Sequence, residues 1–85
     1  MYIYIYTRSK FGMPRDEIED LLEECLAGTG EVTGGGGGDR GNNIDLEVDD
    51  DAPDVVERIR KILRDINVPS DTVMDVQGQR LNVYD

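Results

Sequence analysis

The sequence predicts an α+β fold: one sheet backed by two helices in a two-layer sandwich, with elements in the order β-α-β-β-α-β. Three observations carry that expectation. The run Tyr2-Ile3-Tyr4-Ile5-Tyr6 alternates aromatic with aliphatic residues, the two-residue period of a strand. Two later segments repeat apolar residues at helical spacing. Between those segments, Asn43 to Val48 alternates again, with Ile44, Leu46 and Val48 set against Asn43, Asp45 and Glu47.

Residues 1–7 read as the first strand. Pro14 stands where a helix begins, since its missing N–H has no intrahelical partner there. Asp16 and Glu17 then occupy the first turn, where carboxylates suit the helix dipole. Ile18, Leu21, Leu22, Cys25 and Leu26 form its apolar stripe, and Gly28 ends it. Gly30 to Thr33 is a short second strand, and the glycine-rich stretch 34–41 is a hairpin loop leading into the third strand at Asn43. Asp49, Asp50 and Asp51 cap a second helix, with Pro53 near its start. Its stripe is Val55, Val56, Ile59, Ile62, Leu63 and Ile66, and Asn67 with Pro69 stops it. The tail from Asp71 is strand material interrupted at Gly78, either a hairpin or one bulged strand.

This order is that of a ferredoxin-like split βαβ unit. Right-handed crossovers place strands one and three of a four-stranded, antiparallel-containing sheet in the middle, with strands two and four outside. Two amphipathic helices cover one sheet face and leave the other open. On the open face the alternation places Tyr2, Tyr4 and Tyr6, with Asn43, Asp45 and Glu47 beside them and Tyr84 joining from the tail. RNA-recognition domains share this topology and stack bases on central-strand aromatics. Here Asp45 and Glu47 occupy the aromatic positions, and no basic stripe accompanies them. Nucleic-acid binding is therefore not expected.

At 85 residues the chain suffices for a single domain, 1–85, with one small core. Nine basic against 19 acidic residues give a formal charge of −10, which repels phosphate backbones and anionic lipid and attracts basic proteins. A surface adapted to high salt accounts for the same excess. With one cysteine and no histidine, neither an internal disulfide nor a cysteine–histidine metal cluster is expected. The opening strand pattern differs from a signal peptide, and no stretch approaches the roughly 20 apolar residues of a membrane span. A cytoplasmic location follows as the expectation.

The remaining motifs have structural explanations. The glycines lead into a strand, whereas a phosphate loop leads into a helix N-terminus. Asp49-Asp50-Asp51 lacks the ligand spacing and central glycine of a calcium loop, because Ala52-Pro53 follows at once. Cys25 lies on an apolar stripe with no base beside it, so no activated nucleophile is visible. Neither enzymatic activity nor a cofactor is expected.

The stretches Gly30-Glu31-Val32-Thr33-Gly34-Gly35-Gly36 and Asn43-Ile44-Asp45-Leu46-Glu47-Val48 resemble small bacterial ferredoxin-like domains to which no activity is attached. In size, acidity and lack of catalytic residues, the whole chain is similar to bacterial immunity proteins. That resemblance implies a compact cytoplasmic inhibitor that covers a basic enzyme. The expected function is thus a non-enzymatic acidic protein-binding module. Tyr2, Tyr4, Tyr6, Asp45, Glu47 and Tyr84 would meet a basic partner or, in self-association, a second copy. The alternative is a small-ligand-binding or regulatory homodimeric domain that uses the glycine-rich loop.

Overall fold

The computed structural model describes residues 1–38, 41–49 and 54–84. In chain order the elements are β1 (Tyr2–Thr7), α1 (Arg15–Cys25), β2 (Gly30–Gly38), β3 (Gly41–Val48), α2 (Val55–Asp65), β4 (Val73–Val76) and β5 (Gln79–Asn82). The strands form one five-stranded sheet in the order β2-β3-β1-β4-β5. Every neighbouring pair is antiparallel.

The core follows from the two periodicities. Ile3, Ile5 and Thr7 of β1 are buried while Tyr2, Tyr4 and Tyr6 are exposed. Ile44 and Leu46 of β3 pair with Ile5 and Ile3, so these four side chains share the inner face. Onto it pack Ile18, Leu22 and Leu26 from α1 and its C-cap, and Val55, Ile59 and Leu63 from α2, all fully buried. Each such side chain contributes about 1.5–3 kcal/mol by leaving water. Because both helices bury their stripes in this one cluster, no helix among the described residues lies over the outer face of the sheet.

Several sequence expectations need correction. The sheet has five strands rather than four, because the tail forms a hairpin. Gln77 (φ 52°) and Gly78 (φ 85°) make its two-residue turn, the positive-φ pair that matches strand twist. The Asp75 carboxylate accepts the Gly78 N–H at 2.8 Å. Second, the glycines expected as a loop are largely strand: Gly34 to Gly38 pair with residues from Asp45 back to Gly41. Their hydrogen-bonded partner strand holds them extended despite the entropic cost of ordering glycine. Third, the α1 stripe is narrower than its spacing suggested. Ile18, Leu22 and Leu26 are buried, whereas Leu21 is 37% exposed and Cys25 is only half-buried. Two helices sharing a sheet of strands this short leave the flank of α1 outside the cluster. Of the expected α2 cap, Asp50, Asp51 and Pro53 lie outside the described residues. Asp54 is the N-cap, without a side-chain capping hydrogen bond.

Candidate partner-binding face

Strand register assembles the outer face. Opposite Tyr2 on β3 is Glu47, opposite Tyr4 is Asp45, and opposite Tyr6 is Asn43. On the other side, Tyr4 faces Asp75 and Tyr6 faces Val73 of β4. Arg80 of β5 in turn faces Asp75. Residues directly opposite project to the same side with Cβ atoms about 4.5–5.5 Å apart. Tyr4 is therefore the centre of the face, flanked by a carboxylate on each neighbouring strand.

The rings are 55%, 45% and 37% exposed at Tyr2, Tyr4 and Tyr6. That gradient follows the register: Tyr6 has pairing partners on both sides, whereas Tyr2 precedes the paired part of β4. Asp45 is half-buried and Glu47 exposed. The Asn43 side-chain amide donates to Asp45 Oδ1 at 2.9 Å. Toward the β2 edge the face becomes a shelf. Gly34 and Gly36 lie opposite Asp45 and Asn43 and place no side chain beside them.

The structure brings five of the six expected site residues together: Tyr2, Tyr4, Tyr6, Asp45 and Glu47. Tyr84 does not join them. Its hydroxyl donates to the Val68 carbonyl at 2.6 Å, and its ring packs against the helix-side core. The reason is that β5 ends at Asn82, so strand alternation no longer sets the direction of Tyr84. Asp75, Arg80 and Glu31 were missed as members of the face. For Asp75 and Arg80 the missing information was the turn at Gln77-Gly78, which fixes the register. Glu31 was carried by the short second strand, and its place opposite Glu47 needed the pairing.

The sheet end below Tyr6 has a separate polar cluster. The Asp71 carboxylate accepts from Thr7 Oγ1 at 2.9 Å, Arg8 N–H at 3.1 Å and Ser9 Oγ at 3.4 Å. The Thr7 hydroxyl is the main cause holding its pKa below the usual carboxylate value. Desolvation opposes that shift, and the Arg8 N–H reinforces it. A cavity of about 400 Å³ opens beyond that end, lined by Phe11, Met13, Lys10, Arg15, Gly37, Gly38 and Asn42. No group of three or more potential metal-ligating side chains occurs among the described residues. No helix there is long and apolar enough to cross a membrane.

The chain matches no protein-family model, no curated protein and no solved structure.

Proposed function

We propose that this chain is a non-enzymatic acidic docking module on a ferredoxin-like frame, acting as an immunity-like inhibitor of a basic cytoplasmic protein. The observation that carries the reading is the outer face itself: three part-exposed tyrosines on a central strand, with Asp45, Glu47 and Asp75 on the strands beside them. Tyrosine offers large, rigid contact area with a polar tip and is enriched at binding hot spots. The flanking carboxylates suit arginine or lysine on the partner through charge-assisted hydrogen bonds. A protein laid over this face would have its own basic surface covered, which is how a non-enzymatic module inhibits.

The test is affinity of a partner captured at low salt for the parent chain, Tyr4→Ala and Asp45→Lys. Both sites lie outside the buried cluster, so neither substitution removes a core side chain. Removing a central hot spot is expected to weaken binding by about 2 kcal/mol or more, roughly thirtyfold in Kd. Unchanged affinity in both variants removes this face from the interaction.

A further inference from the structure

The second half of β2 is an open backbone edge, and the pairing pattern shows which of its groups are available. Val48 donates to the Met1 carbonyl, and the Met1 amino group donates to the Val48 carbonyl. Backbone groups alternate along a strand, so Leu46, Ile44 and Asn42 also face β1, while Glu47, Asp45 and Asn43 face β2. Gly34 and Gly36, opposite Asp45 and Asn43, therefore bond to β3. Gly35 and Gly37 turn their N–H and C=O groups outward. The first half of the strand obeys the same rule: the outward Val32 N–H is taken by Glu23 Oε1 at 2.8 Å, and the Gly30 N–H by the Leu26 carbonyl at 2.9 Å.

Exposed sheet edges are normally blunted by charges, proline, bulges or covering segments, because unpaired groups accept another strand. In β2 such devices stop at the irregularity between Val32 and Gly34. Beyond it, no strand or side chain among the described residues meets the outward groups of Gly35 and Gly37. The outer face beside this edge is acidic, whereas the helix side is occupied by a paired acid and base. Behind it stands the Arg15–Glu19 ion pair at 3.2 Å, with Glu19 Oε2 3.4 Å and Arg15 Cδ 3.6 Å from where a Gly35 side chain would begin, and Arg15 Nη1 3.7 Å from the same point at Gly37. In front, Asp45 Oδ2 lies 3.6 Å from where a Gly34 side chain would begin. Among the described residues, the hydrogen bond that Asp45 accepts is on its other oxygen, from Asn43. The helix with a basic excess, α2, belongs to the opposite side, where Arg64 Nε donates to the Val83 carbonyl.

We propose that β2 accepts an extended segment of a basic partner as a sixth strand, bonded through Gly35 and Gly37. The segment alternates basic and apolar residues. Its basic side chains cross the glycine shelf to Asp45 on the outer face. Its apolar side chains lie on the helix side, toward the cavity of Phe11 and Met13. Lys10 and Arg15 at that end disfavour further bases there. Backbone ladder bonds supply affinity and the alternate side chains supply selectivity. A second copy of the chain is a poorer occupant, since it would bring one acidic edge against another. The proposal rests on the docking reading above in taking the partner to be basic, but it uses a different surface.

The test uses the full chain, isotopically labelled, and a short synthetic peptide alternating arginine with valine. Controls carry glutamate for arginine, or N-methyl groups on alternate backbone nitrogens. Arginine–valine peptide is expected to slow amide exchange at Gly35 and Gly37 by about tenfold or more, and both controls to leave it unchanged. Gly37→Pro deletes one outward donor at a position whose near neighbours are the side chains of Asn42 and Arg15 rather than backbone. It should weaken the peptide by about tenfold. Gly34→Lys, which engages Asp45 from within the chain, should weaken it while the strand is retained. Binding that leaves exchange at Gly35 and Gly37 unaltered overturns the edge; if Tyr4→Ala abolishes that binding, the tyrosine face stands alone. Protection of the edge glycines that ignores Tyr4→Ala supports the edge and separates it from the face. No peptide binding, or concentration-dependent protection without peptide, also overturns the proposal.

Discussion

Alanine placed at Gly30 and at Gly34 should move stability in opposite directions, although the two glycines share one strand. At Gly34 a new Cβ meets only Asp45 Oδ2, at 3.6 Å, an ordinary contact. Its backbone lies outside the left-handed region, so alanine fits without strain. The gain comes from restricting the unfolded chain and is worth about 0.5–1 kcal/mol. At Gly30 the same atom would sit 2.6 Å from the Glu47 carbonyl oxygen, 2.7 Å from Val48 Cγ1 and 2.9 Å from Val48 Cα. Two of those atoms are backbone of the partner strand, which cannot turn aside. Relief requires β3 to shift against its pairing with β1, and overpacking of this kind costs about 1–3 kcal/mol. For a chain of this size each kcal/mol displaces Tm by about 4–8 °C. Urea unfolding followed by circular dichroism reads both variants, with an unchanged slope confirming that the folded state is the same. Were Gly34 to Gly38 a loop, alanine at Gly34 would find no defined neighbour. Equal destabilisation at the two sites would refute the pairing of β2 on which the edge argument stands.

Two further outcomes follow from polar groups at the sheet ends. The Thr72 hydroxyl is buried without a hydrogen-bond partner among the described residues, so Thr72→Val should stabilise the fold by about 1 kcal/mol in the same urea assay; a loss of stability would show that the hydroxyl is satisfied. Asp71 has its folded pKa lowered, chiefly by the Thr7 hydroxyl. Its contribution is therefore present above the unfolded value of about 3.9 and is lost as pH falls through the lower folded value. Asp71→Asn should be less stable than the parent at neutral pH, and the gap should close as pH drops below about 4. A gap independent of pH in acid would remove the charge from the account.

Much of the architecture is readable from residue order because hydrophobic period reports directly on burial. The alternation in β1 separates Ile3 and Ile5 from the tyrosines, and the α2 spacing identifies Val55, Ile59 and Leu63 as core. What local pattern cannot supply is pairing. Five consecutive glycines carry no period, so their strand is visible only through Asn42 to Asp45 across the ladder. The same holds in the tail, where Val73 to Val76 and Gln79 to Asn82 are too short to show which face each residue takes until the turn is closed. Tyr84 was misplaced for a related reason: two residues beyond a strand, its direction is set by the carbonyl of Val68. Leu21 and Cys25 show the limit of helical spacing, since a stripe can be wider than the surface available to bury it.

Charge distribution favours, for the proposed face and edge, a partner unlike the chain itself. A total of −10 spread evenly would bear on solubility and non-specific attraction without singling out a surface. Instead, the ion pairs Arg58–Asp54, Arg60–Glu57 and Lys61–Asp65 place basic residues along α2, whereas α1 has Arg15–Glu19 for its many carboxylates. These are short-range pairs within helices and contribute little to stability. They leave the field asymmetric. An isologous dimer through the outer face would set the acidic patch of Asp45, Glu47 and Asp75 against the same patch of the second copy. Tyrosine burial would then work against like-charge repulsion. A basic surface meets the same tyrosines with the sign reversed, so aromatic contact and charge favour the same complex.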